Sequence, residues 1–258
     1  MNILDRIVAD KRSEIEQSLK HLTKFDAKRK ASDTRLPLNF KKALNKNYLS
    51  IIAEVKKASP SKGVIREDFQ PLEVAKLYDQ NGADCISVLT ESKYFQGCND
   101  YLTKIKAAVD IPVLRKDFII DERQIRESYD IGADAILLIV SILTQAQLLD
   151  FQRLARDLGL TCLVEVHSES ELKIALECGC SLIGINNRNL KTFETNIQHS
   201  LNLKSQIPDE VLCISESGIR STEDCNLLFN NGFKAVLVGE TLMRKENPGL
   251  AIPELLGR

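Results

Sequence analysis

Lysine and glutamate side chains stand where several apolar segments finish. The segment PVLRK (112–116) begins like a buried strand and ends on Lys116, and IIAEVK (51–56) carries Glu54 and Lys56 two residues apart. Residues two apart on a strand share one face. Lysine is seldom buried without a partner, so its place at the end of a core strand indicates either an exit from the core or a chemical role.

Other apolar segments end in the same way. Glu165 lies between Val164 and Val166 and should therefore point opposite to them. A single lysine–glutamate pair could be purely structural, but several such groups at one end of a sheet would shift one another's pKa, as acid–base catalysis requires. The polar residues that we place at these ends are Glu54, Lys56, Lys116, Glu165, Asn186, Arg188, Glu216, Ser217, Gly239 and Glu240.

Eight apolar, β-branched segments recur along the chain, and polar segments with helical periodicity separate them. Glycine precedes several of the strands, where it would end a helix. Eight such units predict a (β/α)₈ TIM barrel, with the active site at the carboxyl ends of its strands. An open doubly wound sheet is the alternative, but no GxGxxG motif follows the first strand. The predicted strands are 51–56, 85–90, 112–116, 135–140, 162–166, 182–187, 212–217 and 235–240.

Two glycines follow the last two strands, in SESGI and LVGET. Loops at these positions of a barrel often bind phosphate through backbone N–H groups. Gly218 and Gly239 are therefore candidate phosphate ligands. The loop SPSKG (59–63) could add Ser59 and a lysine to an anion site, or serve only as a flexible lid.

Residues 1–50 precede the first strand and predict a helical extension of the single domain 1–258. Ile3, Leu4 and Ile7 suit an amphipathic helix that continues to Leu19, and Phe40 and Leu44 suit a second one. The segment 22–37 reads as a polar connector between them. The extension could cover either the bottom or the rim of the barrel.

The composition excludes several classes of protein. A net charge of −1 demands neither nucleic acid nor an anionic membrane as a partner. No apolar run is long enough to span a membrane, and the N-terminus lacks the apolar region of a secretory signal. Seven cysteines without a CxxC pair indicate reduced thiols and a cytoplasmic protein, and Cys178 and Cys180 alone do not predict a metal site.

Eight motifs together resemble the indole-3-glycerol phosphate synthase family of tryptophan biosynthesis. They are AEVKKASPSKG, TESKYFQG, PVLRKDFI, LLIV, LVEVH, IGINNRNL, SESGI and VLVGETLM, which fall on all eight predicted strands. The resemblance implies a barrel enzyme that closes, decarboxylates and dehydrates 1-(2-carboxyphenylamino)-1-deoxyribulose 5-phosphate to form an indole. It implies no metal and no organic cofactor, and a monomer or weak homo-oligomer.

The resemblance also implies roles for the acid–base residues. Lys116 would protonate the ketone oxygen as the ring closes, and Glu54 would hold that lysine by an ion pair. Lys56 would either hold the substrate carboxylate or act as the acid in dehydration. Glu165 would be the general base or acid of the later proton transfers.

The remaining implied roles concern substrate binding. Asn186 and Glu216 would bind the sugar hydroxyls with Ser217 nearby, and Gly218 and Gly239 would bind phosphate with Lys56 and Ser59. Many relatives carry serine where this chain has Glu240, so that carboxylate is expected to point away from the phosphate. The apolar pocket for the aromatic ring would comprise Phe95, Phe118, Leu137 and Leu190, with Arg188 at its edge.

Two other functions fit the same residues. Lys116 or Lys56 could form a Schiff base with a sugar-phosphate carbonyl, as in a barrel aldolase. Glu54 would favour the charged form of these lysines, and this argues against a Schiff base, which forms from the neutral amine. A barrel that binds a phosphorylated metabolite without catalysis is the other alternative, although every acid–base position of the resemblance is present.

Overall fold

The computed structural model describes residues 3–18, 36–189 and 192–258, and in them eight parallel strands close into a barrel. Each predicted apolar segment forms one strand, with ends that shift by at most two residues. The first strand pairs with both the second and the last barrel strand, which confirms the (β/α)₈ barrel and excludes the open sheet. The barrel strands are β1 (Ser50–Val55), β4 (Cys85–Leu89), β5 (Val113–Lys116), β6 (Ala135–Ile139), β7 (Thr161–Val166), β8 (Leu182–Asn186), β9 (Leu212–Glu216) and β10 (Ala235–Val238).

A short antiparallel hairpin follows β1 and was not predicted as regular structure. Its strands are β2 (Ala58–Ser59) and β3 (Gly63–Val64), and they pair across the loop predicted to be an anion site or lid. The N–H of Ile65 donates to the carbonyl of Lys57 at 2.8 Å and closes the base of the hairpin. The loop therefore has a defined conformation beside the end of β1.

Helices connect the barrel strands, and several of them begin at side-chain caps. Asp121, Thr144 and Ser221 each accept a backbone N–H in the first turn of a helix, which satisfies a donor that the helix cannot. The helices are α1 (Ile3–Ser18), α2 (Phe40–Leu44), α3 (Pro71–Gln80), α4 (Asn99–Lys106), α5 (Glu122–Asp130), α6 (Gln145–Asp157), α7 (Glu169–Glu177), α8 (Gln198–Lys204), α9 (Thr222–Asn230), α10 (Glu240–Met243) and α11 (Ala251–Leu256), with a 3₁₀ turn at Val140–Ile142. Among the described residues, none of these helices is long and apolar enough to cross a membrane.

The two helices of the N-terminal extension lie at opposite ends of the barrel. Phe40 and Leu44 of α2 are fully buried against Leu182, Leu212 and Ala235, the first residues of three strands. This packing closes the amino end of the barrel. By contrast, α1 borders the cavity at the carboxyl end. The predicted helix residue Leu19 and most of the predicted connector 22–37 lie outside the described residues, and the division of the chain into one domain stays a prediction.

A buried ion pair attaches α1 to the barrel. Lys11 is 3% exposed, and its Nζ lies 3.1 Å from Oδ1 of Asp117, the residue after β5. Asp117 also pairs with Arg115 at 3.4 Å and accepts the hydroxyl of Thr90 at 2.6 Å. The helix that covers the mouth is therefore anchored beside the strand that ends in Lys116.

Candidate active site

A cavity of about 530 Å³ opens at the carboxyl ends of the barrel strands. Its size suits a small organic ligand. Of the predicted site residues, Leu190 lies outside the described residues. All the others line the cavity, namely Glu54, Lys56, Ser59, Phe95, Lys116, Phe118, Leu137, Glu165, Asn186, Arg188, Glu216, Ser217, Gly218, Gly239 and Glu240.

Lys116 lies between two glutamates from other strands. Its Nζ is 2.8 Å from Oε2 of Glu165 and 2.7 Å from Oε2 of Glu216. Burial alone would disfavour the ammonium, but the carboxylates of Glu165, Glu216 and Glu54 outweigh it and raise the pKa of Lys116. The lysine is therefore a cation that can donate a proton inside the cavity.

The two glutamates around Lys116 have opposite pKa shifts. Burial would raise the pKa of Glu165, but Lys116 and then His167 outweigh it and lower the pKa. For Glu216, burial together with the negative charge of Glu165 outweighs Lys116 and raises the pKa. One carboxyl is thus held as the anion while the other protonates more readily, which is the division that acid–base catalysis uses.

Close packing leaves Glu216 partly unsatisfied. Its Oε1 is buried and has no hydrogen-bond partner among the described residues. On β8, a Cβ at Gly184 would overlap that oxygen, so glycine makes room for the carboxylate. A buried acceptor without a donor is costly, which agrees with the raised pKa of this carboxyl.

Glu54 pairs with Lys56 rather than with Lys116. The Nζ of Lys56 donates to Oε2 of Glu54, and the two side chains share the interior face of β1. The expected ion pair between Glu54 and Lys116 is therefore wrong as a direct contact, although Glu54 still acts on Lys116 through its charge. Two separate groups result. One contains Glu54 and Lys56, and the other contains Lys116 with Glu165 and Glu216.

Glu165 has further partners on its second oxygen. Oε1 accepts the amide of Asn186 at 3.2 Å, and Nε2 of His167 lies 3.2 Å from it. His167 was not among the predicted site residues. It lies one residue beyond the end of β7 and two positions after Glu165, so a search of the residues next to that strand end could have identified it.

A capped loop after β4 carries the aromatic wall. The carboxylate of Glu91 accepts the N–H groups of Lys93, Tyr94 and Phe95 at 2.7–3.0 Å. This places the ring of Phe95 6.1 Å from that of Phe118. With Leu137 they form the predicted apolar wall, to which the structure adds Ile3, Leu4, Ile7, Leu89, Ile139 and Phe193.

The loop after β9 has an unusual backbone. Ser217 has φ 67° and Gly218 has φ 81°, a conformation that a side chain disfavours at Ser217. The amide of Asn187 donates to the carbonyl of Ser217 at 3.0 Å and to the hydroxyl of Ser215 at 2.9 Å, which braces the turn. The braced turn directs this loop toward the cavity end formed by Gly218 and Gly239.

Several polar residues at this end of the cavity were not predicted. They come from loops and from α10 rather than from the strand ends, and barrel closure brings them together. Arg220 donates to the hydroxyl of Thr195 at 3.4 Å. The unpredicted polar lining residues there are Ser61, Thr195, Arg220, Thr241 and Arg244, and Lys62 is the lysine that the loop SPSKG was predicted to add.

Glu240 faces arginines at the rim of the cavity. Its Oε1 accepts a hydrogen bond from Arg244 at 2.9 Å, and its Oε2 lies 3.9 Å from Arg188. Burial would raise the pKa of Glu240, but Arg244, Lys62 and Arg188 outweigh it and lower the pKa. The extra negative charge is thus neutralised by cations.

Fold and site together define a class of protein. It is a (β/α)₈-barrel enzyme with a lysine–glutamate acid–base centre and a cationic, glycine-containing end to its cavity. Among the described residues, no group of three or more histidine, cysteine, aspartate or glutamate side chains could hold a metal ion.

Comparisons with known proteins define the family. The family model described as indole-3-glycerol phosphate synthase matches residues 4–255, and the chain belongs to this family. It is 52% identical over 245 residues to the indole-3-glycerol phosphate synthase of Acetivibrio thermocellus, covering 94% of each chain. It is 48% identical to that of Polynucleobacter necessarius, covering 98% of each.

A solved structure independently supports the barrel. Thiamine phosphate pyrophosphorylase from Pyrococcus furiosus superimposes with a TM-score of 0.61 at 13% identity, over 81% of this chain and 94% of that one. At this identity the likeness concerns the fold alone.

Proposed function

We propose that the chain converts 1-(2-carboxyphenylamino)-1-deoxyribulose 5-phosphate into indole-3-glycerol phosphate, carbon dioxide and water. The observation that carries this proposal is Lys116 between two glutamates with opposite pKa shifts. The surrounding cavity has an apolar wall for an aromatic ring and a cationic end for a phosphate. Family membership supports the same reaction.

Lys116 is the general acid of ring closure. The aromatic carbon that bears the carboxylate attacks the ketone carbon, and the ketone oxygen takes a proton from the ammonium. The attack leaves positive charge on the ring and nitrogen, which draws the electrons of the carboxylate bond as carbon dioxide leaves. A charged lysine in a water-poor cavity stabilises the developing alkoxide.

The later proton transfers need a base and a second acid. Glu165, held as the anion, takes up the proton that leaves as the double bond of the indole forms. The hydroxyl departs as water after an acid protonates it, and Lys56 is positioned for that step or for holding the substrate carboxylate. Asn186 and Glu216 line the cavity, and we assign them the binding of the sugar hydroxyls.

The phosphate binds at the end of the cavity formed by the loops after β9 and β10. Gly218 and Gly239 offer backbone N–H groups there, and Lys56 and Ser59 lie on the adjoining β1 side. A Cβ at Gly239 would overlap Oε2 of Glu54 and lie 2.9 Å from Nζ of Lys56, so glycine leaves room for this pair beside the loop after β10. Arg220 adds a positive charge at the same end.

The apolar wall favours the charged transition state. Phe95, Phe118 and Leu137 exclude water from one side of the cavity, which strengthens electrostatic contacts on the other. Arg188 closes the edge, where it donates to the hydroxyl of Ser61 at 3.3 Å.

The reaction is tested by mixing the purified protein with the carboxyphenylamino-deoxyribulose phosphate in EDTA and following indole fluorescence. A rising signal supports both the reaction and its independence of metal ions. No signal from folded protein and verified substrate would contradict the proposal. Borohydride trapping then tests the aldolase alternative, which the raised pKa of Lys116 disfavours because a Schiff base needs the neutral amine.

Other properties of the molecule stay predictions. The partner is a small phosphorylated substrate, and we propose that neither nucleic acid nor a membrane takes part. A cytoplasmic location and a monomer or weak homo-oligomer are proposed on the sequence grounds given above. Size-exclusion chromatography with light scattering measures the oligomeric state directly.

A further inference from the structure

A buried histidine lies behind Glu165 and has no part in the mechanism above. The side chain of His167 is 12% exposed and does not line the cavity. Its Nε2 lies 3.2 Å from Oε1 of Glu165, and its Nδ1 lies 3.5 Å from Oε2 of Glu171. Neither nitrogen meets the geometry of a hydrogen bond. The ring thus lies between two carboxylates at ion-pair distance.

The second carboxylate is held in place by the start of α7. Oε2 of Glu171 accepts the backbone N–H of His167 at 2.8 Å. The N–H of Glu171 in turn donates to the hydroxyl of Ser168, the residue that caps the helix, at 3.2 Å. Glu171 is therefore positioned independently of the imidazole, and its charge faces the ring from a fixed direction.

The groups around the ring come from four elements. Glu165 faces it from β7, Glu171 from α7, and the charge of Glu216 acts on it from β9. From α8, the ring of His199 donates to the backbone carbonyl of His167, and its own pKa is lowered by burial. Burial disfavours the imidazolium of His167 as well, but the three carboxylates outweigh it and raise its pKa.

We propose that His167 is a positioning residue that, as an imidazolium between Glu165 and Glu171, orients Glu165 and keeps it ionised. This inference rests on the proposed function of Glu165. Lys116 serves two glutamates at once, so it cannot neutralise both. His167 supplies a second positive charge on the opposite oxygen of Glu165, and Oε2 stays directed at Lys116 and the cavity.

Nuclear magnetic resonance tests the contact without any activity. The chain has only three histidines, at positions 21, 167 and 199, so their ring Cε1–H signals can be assigned with His167→Gln and His199→Gln. We expect His167 to titrate at higher pH than His199. Glu171→Gln and Glu165→Gln should each lower the pKa of His167, because the coupling of two titrating groups is reciprocal.

Kinetics test the positioning role. In His167→Gln, kcat should fall roughly tenfold to a hundredfold, as for other groups that orient a reacting side chain from behind. KM should stay near the wild-type value because the ring does not line the cavity. The acidic limb of the pH profile should move to higher pH, since Glu165 loses a stabilising cation. His199→Gln removes the neighbouring histidine, for which no contact with Glu165 is found, and should move the profile less than His167→Gln does.

Glu171→Gln keeps the imidazole and serves if His167→Gln does not fold. It should move the acidic limb in the same direction by less. The inference is overturned if His167 titrates at or below His199, or if His167→Gln keeps the wild-type kcat and pH profile. If the wild type forms no indole, the proposed function fails, and an unchanged His167 pKa in Glu165→Gln would then overturn the contact itself.

Discussion

At the scale of single residues, the chemistry depends on how one lysine is shared. Lys116 holds Glu165 and Glu216 together, although two buried carboxylates would otherwise repel each other. In the proposed mechanism this arrangement serves catalysis, and it makes the stability of the centre sensitive to any change in charge. Two substitutions measure these effects separately.

Replacing Lys116 with methionine removes the proposed general acid and leaves two facing carboxylates. We expect kcat to fall about 10²–10⁴-fold, the usual contribution of a general acid. At neutral pH the variant should lose about 3–5 kcal/mol of unfolding free energy, as when one partner of a buried ion pair is removed. The loss should shrink at lower pH because a carboxyl takes up a proton.

Urea unfolding at two pH values, together with kcat, checks this expectation. Leu137→Met, which also lines the cavity but carries no charge, is the control for a change of shape. Near-wild-type turnover in Lys116→Met would remove the lysine from the mechanism.

Glu216 and Glu165 should respond to neutralisation in opposite directions. The folded pKa of Glu216 is raised, so this carboxyl costs stability as the pH rises through that value. The folded pKa of Glu165 is lowered, so this one contributes stability above its unfolded pKa. At pH 8, Glu216→Gln should therefore have an equal or higher Tm than the wild type, and Glu165→Gln a lower one.

Both variants should lose activity. In Glu216→Gln a lower kcat should therefore accompany an equal or higher Tm. Melting curves at pH 5 and pH 8 provide the measurement, and the gain in Glu216→Gln should appear mainly at pH 8. Equal Tm changes in the two variants would contradict the assignment of opposite pKa shifts.

At the scale of elements, α1 turns the open mouth into a cavity. Ile3, Leu4 and Ile7 line the cavity, and the buried pair of Lys11 and Asp117 fixes the helix to the end of β5. A second pair, Lys93 with Asp10, joins the same helix to the loop after β4, but both of its side chains are exposed. Exposed ion pairs contribute little to stability.

Lys11→Met and Lys93→Met are therefore a matched pair of substitutions. Lys11→Met should lower stability by about 3 kcal/mol and raise KM more than it lowers kcat, because the helix contributes an apolar wall. Lys93→Met should change stability by less than about 0.5 kcal/mol. Denaturant unfolding and steady-state kinetics compare the two, and equal effects would contradict the anchoring role of Lys11.

At the scale of the whole molecule, the two ends of the barrel have different tasks. The carboxyl end holds the polar site, and the amino end is closed by Phe40 and Leu44 of α2. Such a division between a stability face and an active face is general for these barrels. Substitutions at the two ends should therefore have separable effects.

Leu44→Ala should lower the unfolding free energy by about 2–5 kcal/mol, since it empties a fully buried site. Its kcat and KM at a temperature where it stays folded should match the wild type. Ile7→Ala at the mouth should instead raise KM. A fall in kcat of folded Leu44→Ala would show that the two ends are coupled.

The sequence by itself predicted the eight strands, favoured a closed barrel over an open sheet, and identified most of the polar residues that line the cavity. The periodicity and the length of the apolar segments identify eight strands. Parallel strands in a barrel bring their carboxyl ends to one face, so residues such as Glu54, Lys116 and Glu165 are expected to meet there. The alternation of side chains along a strand also predicted that Glu165 points toward the mouth of the barrel. These features follow from short-range physics and need no knowledge of distances across the barrel.

Only the tertiary structure decided which groups pair. Lys116 on β5 reaches Glu165 on β7 and Glu216 on β9, and this choice over Glu54 depends on the register and curvature of the closed sheet. The opposite pKa shifts, the separation of α1 from α2, and the arrival of Arg220 and Thr195 at the cavity end formed by Gly218 and Gly239 have the same origin. Each is a long-range distance, and a linear pattern of residues carries no information about such distances until the chain has closed on itself.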